Sequence, residues 1–75
     1  MVDDIADINR WMAGEDIKNV QFKLNDFVTI ISGEFEGDTG SVISPEEFGD
    51  NPTYLIETST GKDILVKQNV LQKYS

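Results

Sequence analysis

Apolar and polar residues alternate with a period of two in several short runs of this chain. Such alternation predicts strands with one buried face. The clearest run contains Val28 and Ile30, and Gly33, Gly37 and Gly40 follow it within a short stretch. Glycine adopts a positive φ or permits close backbone approach at little steric cost. An apolar run then resumes, so the segment 25–44 predicts a strand, a tight loop and a second strand.

Three further strands are predicted towards the C-terminus. Residues 54–58 and 63–67 are expected to form a hairpin around the glycine-containing turn 59–62. Residues 68–71 predict a short helical turn, and a last strand is expected to end near Tyr74. Together with the first hairpin, these runs predict a mainly β, predominantly antiparallel fold with five strands.

The segment 3–13 follows a helical period instead. Ile5, Ile8 and Met12 share one face, and Trp11 lies at its shoulder. A helix of about ten residues is marginal in water by itself. We therefore expect it either to pack on the strands, in which case its deletion lowers stability, or to dock on a partner.

The expected organisation has three parts: an N-terminal amphipathic helix in residues 1–14, an extended lead-in in residues 15–24, and a β domain in residues 25–75. Alternation of apolar side chains in the lead-in suggests that it lays one face on the strands.

Neighbouring residues on a strand face opposite ways, which sorts the apolar residues into two sets. The first set is expected to point inward: Val28, Ile30, Val42, Ile56, Ile64 and Val66. The second set is expected to point outward: Phe27, Ile31, Ile43, Leu55 and Leu65. Some of the outward set should be covered, either by the helix or by a partner.

The sequence Ser44-Pro45-Glu46-Glu47 has the form of a capping box with proline at the first helical position. It predicts one helical turn at the start of a compact acidic loop. Phe48 lies in that loop. It is expected either to fold back over the strands or to present its ring on the surface.

The first hairpin resembles the KOW motif, which occurs in NusG-type transcription factors and in some large-subunit ribosomal proteins. The matching positions are Asp26, Val28, Ile30, Gly33, Phe35, Gly37, Gly40 and Val42. Asn25 replaces the first glycine of the family pattern, and asparagine also tolerates turn conformations. The resemblance implies a small five-stranded SH3-like barrel that binds protein or RNA. RNA-binding members commonly carry basic residues around this loop, whereas this chain has acidic ones.

The amino-acid composition of the chain narrows the classes of function that it can have. Among 75 residues, 6 are basic and 14 are acidic, which gives a net charge of −8. Nucleic-acid binding depends on Lys and Arg, so this charge disfavours RNA and DNA, and it equally disfavours anionic membranes. The chain has no Cys and no His, so it cannot use thiolate or imidazole chemistry. It also has no nucleotide-binding loop or nucleophile motif, and its loop acids lack the spacing of a calcium-binding loop.

We therefore expect neither an enzyme nor a metal or cofactor site. No stretch reaches the roughly 18 apolar residues of a membrane span, and the first residues do not resemble a secretion signal. A cytoplasmic protein, monomeric when isolated, is expected.

The interpretation is a small acidic protein-interaction module that docks on a protein partner, with a basic partner favoured by charge. The assembly involved could be associated with transcription or translation, or be of another kind. Two alternatives remain: an RNA- or ribosome-binding KOW protein, and an inhibitor or immunity-type protein for a basic target. The predicted contact surface is a patch of two loop aromatics with an acidic rim, and the helix tryptophan joins it if the helix docks on the partner. The candidate residues are Phe35, Phe48, Glu34, Glu36, Asp38 and Trp11.

Overall fold

The computed structural model, which describes residues 4–74, contains one helix followed by five strands in a single antiparallel sheet. The elements are α1 Asp4–Met12, β1 Phe27–Ile30, β2 Thr39–Glu47, β3 Thr53–Thr58, β4 Asp63–Lys67 and β5 Leu71–Lys73, with a one-turn 3-10 helix at Gln68–Val70. The mainly β fold with five strands and one short helix is thereby confirmed. The parts of the prediction that concern residues 1–3 and the side chain of Ile5 lie outside what the structure describes. No helix within residues 4–74 is long and apolar enough to cross a membrane.

The sheet must curl strongly, because its two edge strands are consecutive in sequence. The strand order is β4-β3-β2-β1-β5, so β4 and β5 lie four strand spacings apart. In a flat sheet that distance is about 19 Å. Only the three residues Gln68–Val70 connect the two strands, and four extended residue steps reach at most about 14 Å. The described strand pairs nevertheless leave the sheet open, with no ladder between β4 and β5.

Strand β2 runs through the segment for which a helical turn was predicted, so that prediction is wrong. Pro45 is paired with Tyr54 of β3, and the register shifts on both sides of it. Proline cannot donate to a ladder and is tolerated in strands at such irregularities. The Ser44 hydroxyl donates to the Glu46 carboxylate at 2.7 Å instead of capping a helix. Pairing with β3 outweighs the local capping signal.

The core confirms which apolar strand residues were predicted to point inward. Five of the six inward residues are buried and Ile64 is half-buried against them. On the outward side, Phe27, Ile31 and Leu65 remain exposed, while Ile43 and Leu55 are half-buried. The helix therefore leaves three of the five outward apolar residues uncovered.

The glycines of the first hairpin serve the two purposes predicted for them. Gly33 and Gly37 both have φ of +93°, a conformation that side chains rarely adopt. A Cβ on Gly40 would lie 2.5 Å from the Glu57 carbonyl oxygen, so β2 and β3 approach closely only because that side chain is absent. Asn25, which replaces a glycine of the KOW pattern, has φ of +68°.

Helix α1 is anchored by Trp11, at the shoulder of the predicted apolar face, while Met12 of that face remains exposed. Trp11 is 1% exposed and belongs to the core cluster, whereas Met12 is 51% exposed. The indole Nε1–H donates to the Phe22 carbonyl at 2.6 Å. The Phe22 ring in turn packs edge-on against Tyr54 with centroids 5.5 Å apart. The helix thus packs on its own domain, one of the two expected outcomes.

The lead-in, residues 15–24, is less extended than predicted. Turns lie at 18–19 and 24–25, and Asn19 has φ of +68°. Of its alternating apolar residues, Phe22 is buried, while Leu24 remains 39% exposed. Hydrogen bonding of the backbone N–H of residue 23 to the Asp26 carboxylate tightens the second turn and leads the chain into β1.

Gln68 contacts the lead-in and β3 through its side chain and the loop before β3 through its backbone. Its Oε1 accepts hydrogen bonds from the Gln21 backbone N–H at 2.9 Å and from the Tyr54 hydroxyl. Its Nε2–H donates to the Asn19 carbonyl at 2.8 Å, and its backbone N–H donates to the Pro52 carbonyl at 2.7 Å. Gln68 is only 9% exposed, so its polar atoms and those of its partners depend on these hydrogen bonds.

We expect the unfolding free energy to fall as the pH rises above about 10, because burial raises the pKa of the Tyr54 phenol above its ordinary value. The negative charge of Asp26 acts in the same direction. A raised folded-state pKa contributes stability below the unfolded-state value and loses it as the pH passes through the folded-state value. Urea unfolding between pH 8 and 11 measures this loss. The Tyr54→Phe variant should show a shallower decline, and an equal decline would contradict the assignment.

Candidate interaction surface

The β1–β2 loop, residues 31–38, is held by its own backbone. The Gly37 N–H donates to the Ile30 carbonyl at 2.8 Å, and the Ile30 N–H donates to the Asp38 carbonyl at 2.9 Å. Inside this frame the Asp38 N–H donates to the Phe35 carbonyl at 3.0 Å. The loop is therefore a structured turn that presents its acidic side chains outward.

Phe35 is half-buried and packs against the core cluster. Its position between Gly33 and Gly37 lets the chain turn its ring back towards the strands. Most of the surface of Phe35 is therefore buried within the domain. Only its remaining exposed edge is accessible to another molecule.

Phe35 and Phe48 do not form a ring contact with each other within residues 4–74. They lie in loops at opposite ends of β2, whose nine residues span about 26 Å when extended. The β1–β2 loop lies beside the β3–β4 turn, where the Ser59 N–H donates to the Thr39 carbonyl at 2.9 Å. The loop containing Phe48 lies beside the 3-10 helix, through the bond between Gln68 and Pro52, and the start of the β1–β2 loop contacts the same helix through the bond from the Ile31 N–H to the Val70 carbonyl. The predicted patch of the two rings stays a prediction.

Most of the cations of the domain already have a carboxylate partner. Four of the six basic residues form ion pairs. These pairs join Arg10 to Asp7 and Glu15, Lys23 to Asp16, Lys67 to Glu47, and Lys73 to Asp26. Within the tightest of them, the hydrogen bond from Lys23 lowers the pKa of the Asp16 carboxyl. Few positive charges are left to neutralise the remaining acids.

The acids of the β1–β2 loop are among those that remain. Glu34, Glu36 and Asp38 are exposed, and none of the ion pairs within residues 4–74 involves them. Three carboxylates within five positions of one ordered loop make a local negative potential that extends into solvent. Trp11, the remaining candidate from the sequence, is buried and does not contribute to this exposed surface.

A shallow cleft of about 140 Å³ adjoins this loop. It lies between the β1–β2 loop and the β3–β4 turn and is lined by Gly37, Asp38, Thr39, Thr58, Ser59 and Thr60. Its volume is about half that of the smaller pockets that hold drug-sized ligands. Within residues 4–74, no three Asp or Glu side chains are grouped closely enough to hold a metal ion.

Sequence reasoning missed an exposed aromatic pair on the outer side of β1 and β5. The rings of Phe27 and Tyr74 meet edge-on with centroids 5.1 Å apart and an interplanar angle of 82°. They are 41% and 58% exposed. Period-two alternation does predict that Phe27 faces outward. No local signal places Tyr74 beside it, because the two residues meet only through the β1–β5 ladder.

Comparisons with protein-family models, with curated proteins and with solved structures found no match to this chain.

Proposed function

We propose that this protein is a small acidic interaction module, an SH3-like barrel of the KOW type, that binds a protein partner through a basic segment of that partner. The observation that carries the proposal is the β1–β2 loop. It is ordered by backbone hydrogen bonds and presents Glu34, Glu36 and Asp38, none of which forms an ion pair with a described residue. A partner that supplies Lys or Arg side chains here gains complementary charge and faster association.

The curled sheet supports the barrel part of the proposal. The three-residue connection between the two edge strands forces those edges towards each other, and register shifts in β2 supply the bend that a small barrel needs. The KOW-type spacing of glycines agrees with this geometry, since both turn glycines have positive φ and Gly40 permits the close approach of β3.

Charge distribution favours a protein over RNA as the partner. Phosphate binding requires several Lys or Arg side chains directed at the backbone of the nucleic acid. In this domain most such side chains form ion pairs with the domain's own carboxylates. The loop that resembles the KOW motif carries the opposite sign of charge.

Co-purification from a lysate of the native host tests the proposal. A tagged protein should retain a basic protein partner, and treatment with ribonuclease should leave that partner bound. The triple variant Glu34→Gln, Glu36→Gln, Asp38→Asn should lose the partner while its unfolding free energy stays within about 0.5 kcal/mol of the wild type. The matched control is the double variant Glu46→Gln, Asp50→Asn, which removes two exposed charges near the opposite end of β2.

Two results would contradict the proposal. Release of the retained material by ribonuclease would indicate an RNA-mediated association. Equal retention by the loop variant and the wild type would show that the carboxylates of the β1–β2 loop do not take part in partner binding.

A further inference from the structure

Exposed apolar side chains are concentrated on one part of the domain. Six large hydrophobic residues are exposed within the described chain, and four of them lie on or next to β1 and β5. We define these four as the β1–β5 surface: Leu24, Phe27, Ile31 and Tyr74. The other two, Met12 and Leu65, lie on α1 and β4.

Backbone pairing gives the β1–β5 surface a fixed shape. The Tyr74 N–H donates to the Phe27 carbonyl at 2.9 Å, and the Ile31 N–H donates to the Val70 carbonyl at 2.9 Å, so the ladder continues beyond both ends of the two strands. Phe27 and Ile31 share the outward parity of β1, since Val28 and Ile30 are buried. Aromatic rings held in place by neighbours lose little entropy on binding and are frequent anchors of interfaces.

The β1–β5 surface is continuous with the acidic loop. Ile31 is the last apolar residue of the surface and the first residue of the loop that carries Glu34 and Glu36. The outward face of β1 extends about 13 Å from Phe27 to Ile31, with Thr29 between them. It runs directly into a group of carboxylates that form no ion pair within residues 4–74. An apolar centre beside an uncompensated charged rim is a common anatomy of protein interfaces.

We infer that the β1–β5 surface is the apolar half of the binding site, and that its occupant is a segment of a partner protein in which basic and apolar side chains occur together. This inference rests on the proposed function and adds a location and a partner chemistry to it. The apolar side chains of the segment pack on Phe27, Ile31 and Tyr74. Its Lys or Arg side chains reach the carboxylates of the β1–β2 loop.

Charge argues against a second copy of the same chain as the occupant. Each copy carries a net charge of −8, and a symmetric pair would bring the same surface of both molecules together. The acidic loops next to that surface would then repel each other across or beside the contact. A basic segment neutralises those loops.

NMR titration with a defined probe tests the inference. The probe is a ten-residue peptide of alternating Lys and Leu, and the control peptide alternates Glu and Leu. With the ¹⁵N-labelled protein at near-physiological salt, amide shifts should be confined to residues 24–38 and 70–74. The Tyr74→Ser and Phe27→Ser variants should each raise the Kd for the Lys peptide at least fivefold. The matched control Leu65→Ser, which removes an equally exposed apolar residue elsewhere, should change it less than twofold.

Several outcomes would overturn the inference. One is a Kd that rises equally in Tyr74→Ser and Leu65→Ser; another is the same affinity for the Lys and Glu peptides, or no binding of either. A dimer in sedimentation that Tyr74→Ser dissociates would identify a second copy as the occupant. If the loop variant Glu34→Gln, Glu36→Gln, Asp38→Asn alone weakens binding, the apolar half is wrong but the proposed function stands. Only the co-purification experiment can contradict the proposed function itself.

Discussion

Replacing Trp11 with Ala should lower the unfolding free energy by about 3–5 kcal/mol. Trp11 is 1% exposed in the core cluster, and its indole N–H bonds the Phe22 carbonyl. The substitution leaves a cavity and a carbonyl without its donor, and it removes the side chain that attaches α1 to the sheet. For a domain whose total stability is on the order of 5–15 kcal/mol, this is a large fraction. Because Trp11 is the sole tryptophan, urea unfolding should be followed by circular dichroism.

Two further variants separate the causes of that loss. Met12→Ala, at an exposed position in the same helix, should cost no more than about 0.5 kcal/mol. Trp11→Phe keeps most of the ring but not the donor, so its cost should lie between the two. A Trp11→Ala variant as stable as Met12→Ala would mean that α1 is not docked on the domain in solution, and that the helix is available to a partner.

Replacing Gln68 with Leu should lower the unfolding free energy by about 2–4 kcal/mol. Leucine has a similar size, so the loss arises from polar groups and not from a cavity. The Gln21 N–H, the Tyr54 hydroxyl and the Asn19 carbonyl each lose their partner on the Gln68 side chain. A buried polar group left without a partner costs about 1–3 kcal/mol, and partial access of water to the lead-in reduces the sum.

The neighbouring residue provides the control for Gln68. Asn69→Ala changes an exposed side chain in the same 3-10 helix and leaves the Asn69 backbone bond to Asn51 intact. Its unfolding free energy should stay within about 0.5 kcal/mol of the wild type. If Gln68→Leu changed the unfolding free energy as little as Asn69→Ala, the lead-in would not depend on the Gln68 side chain for its attachment to β3.

Local sequence signals predicted most of the sheet. The first hairpin follows from alternation and glycine spacing, and β4 occupies the predicted residues 63–67. These elements depend on neighbours in sequence, so local patterns determine them. The capping signal at Ser44 failed because β2 pairs with β3 there, and long-range pairing overrides local preference. The burial of Trp11 in preference to Met12 could not be predicted from the helix alone, because it depends on the position of Phe22, whose carbonyl accepts the indole N–H.

The candidate site likewise has features that local sequence predicts and features that it does not. The exposure of Glu34, Glu36 and Asp38 could be predicted, since charged residues between turn glycines rarely find internal partners. The contact of Phe27 with Tyr74 could not be predicted, since it requires pairing of the first and last strands. The Gln68 network likewise joins residues that are far apart in sequence.

The ladder between β1 and β5 also bears on the order of folding. Strands β2, β3 and β4 are joined by short connections, whereas β1 pairs with residues more than 40 positions away. Closing so long a loop carries an entropic cost that sequence neighbours avoid, so this ladder should form late and open early. The aromatic pair of Phe27 and Tyr74 is then assembled only in the completed domain. A ligand that binds there stabilises the whole fold by mass action, and partially folded chains do not present the surface.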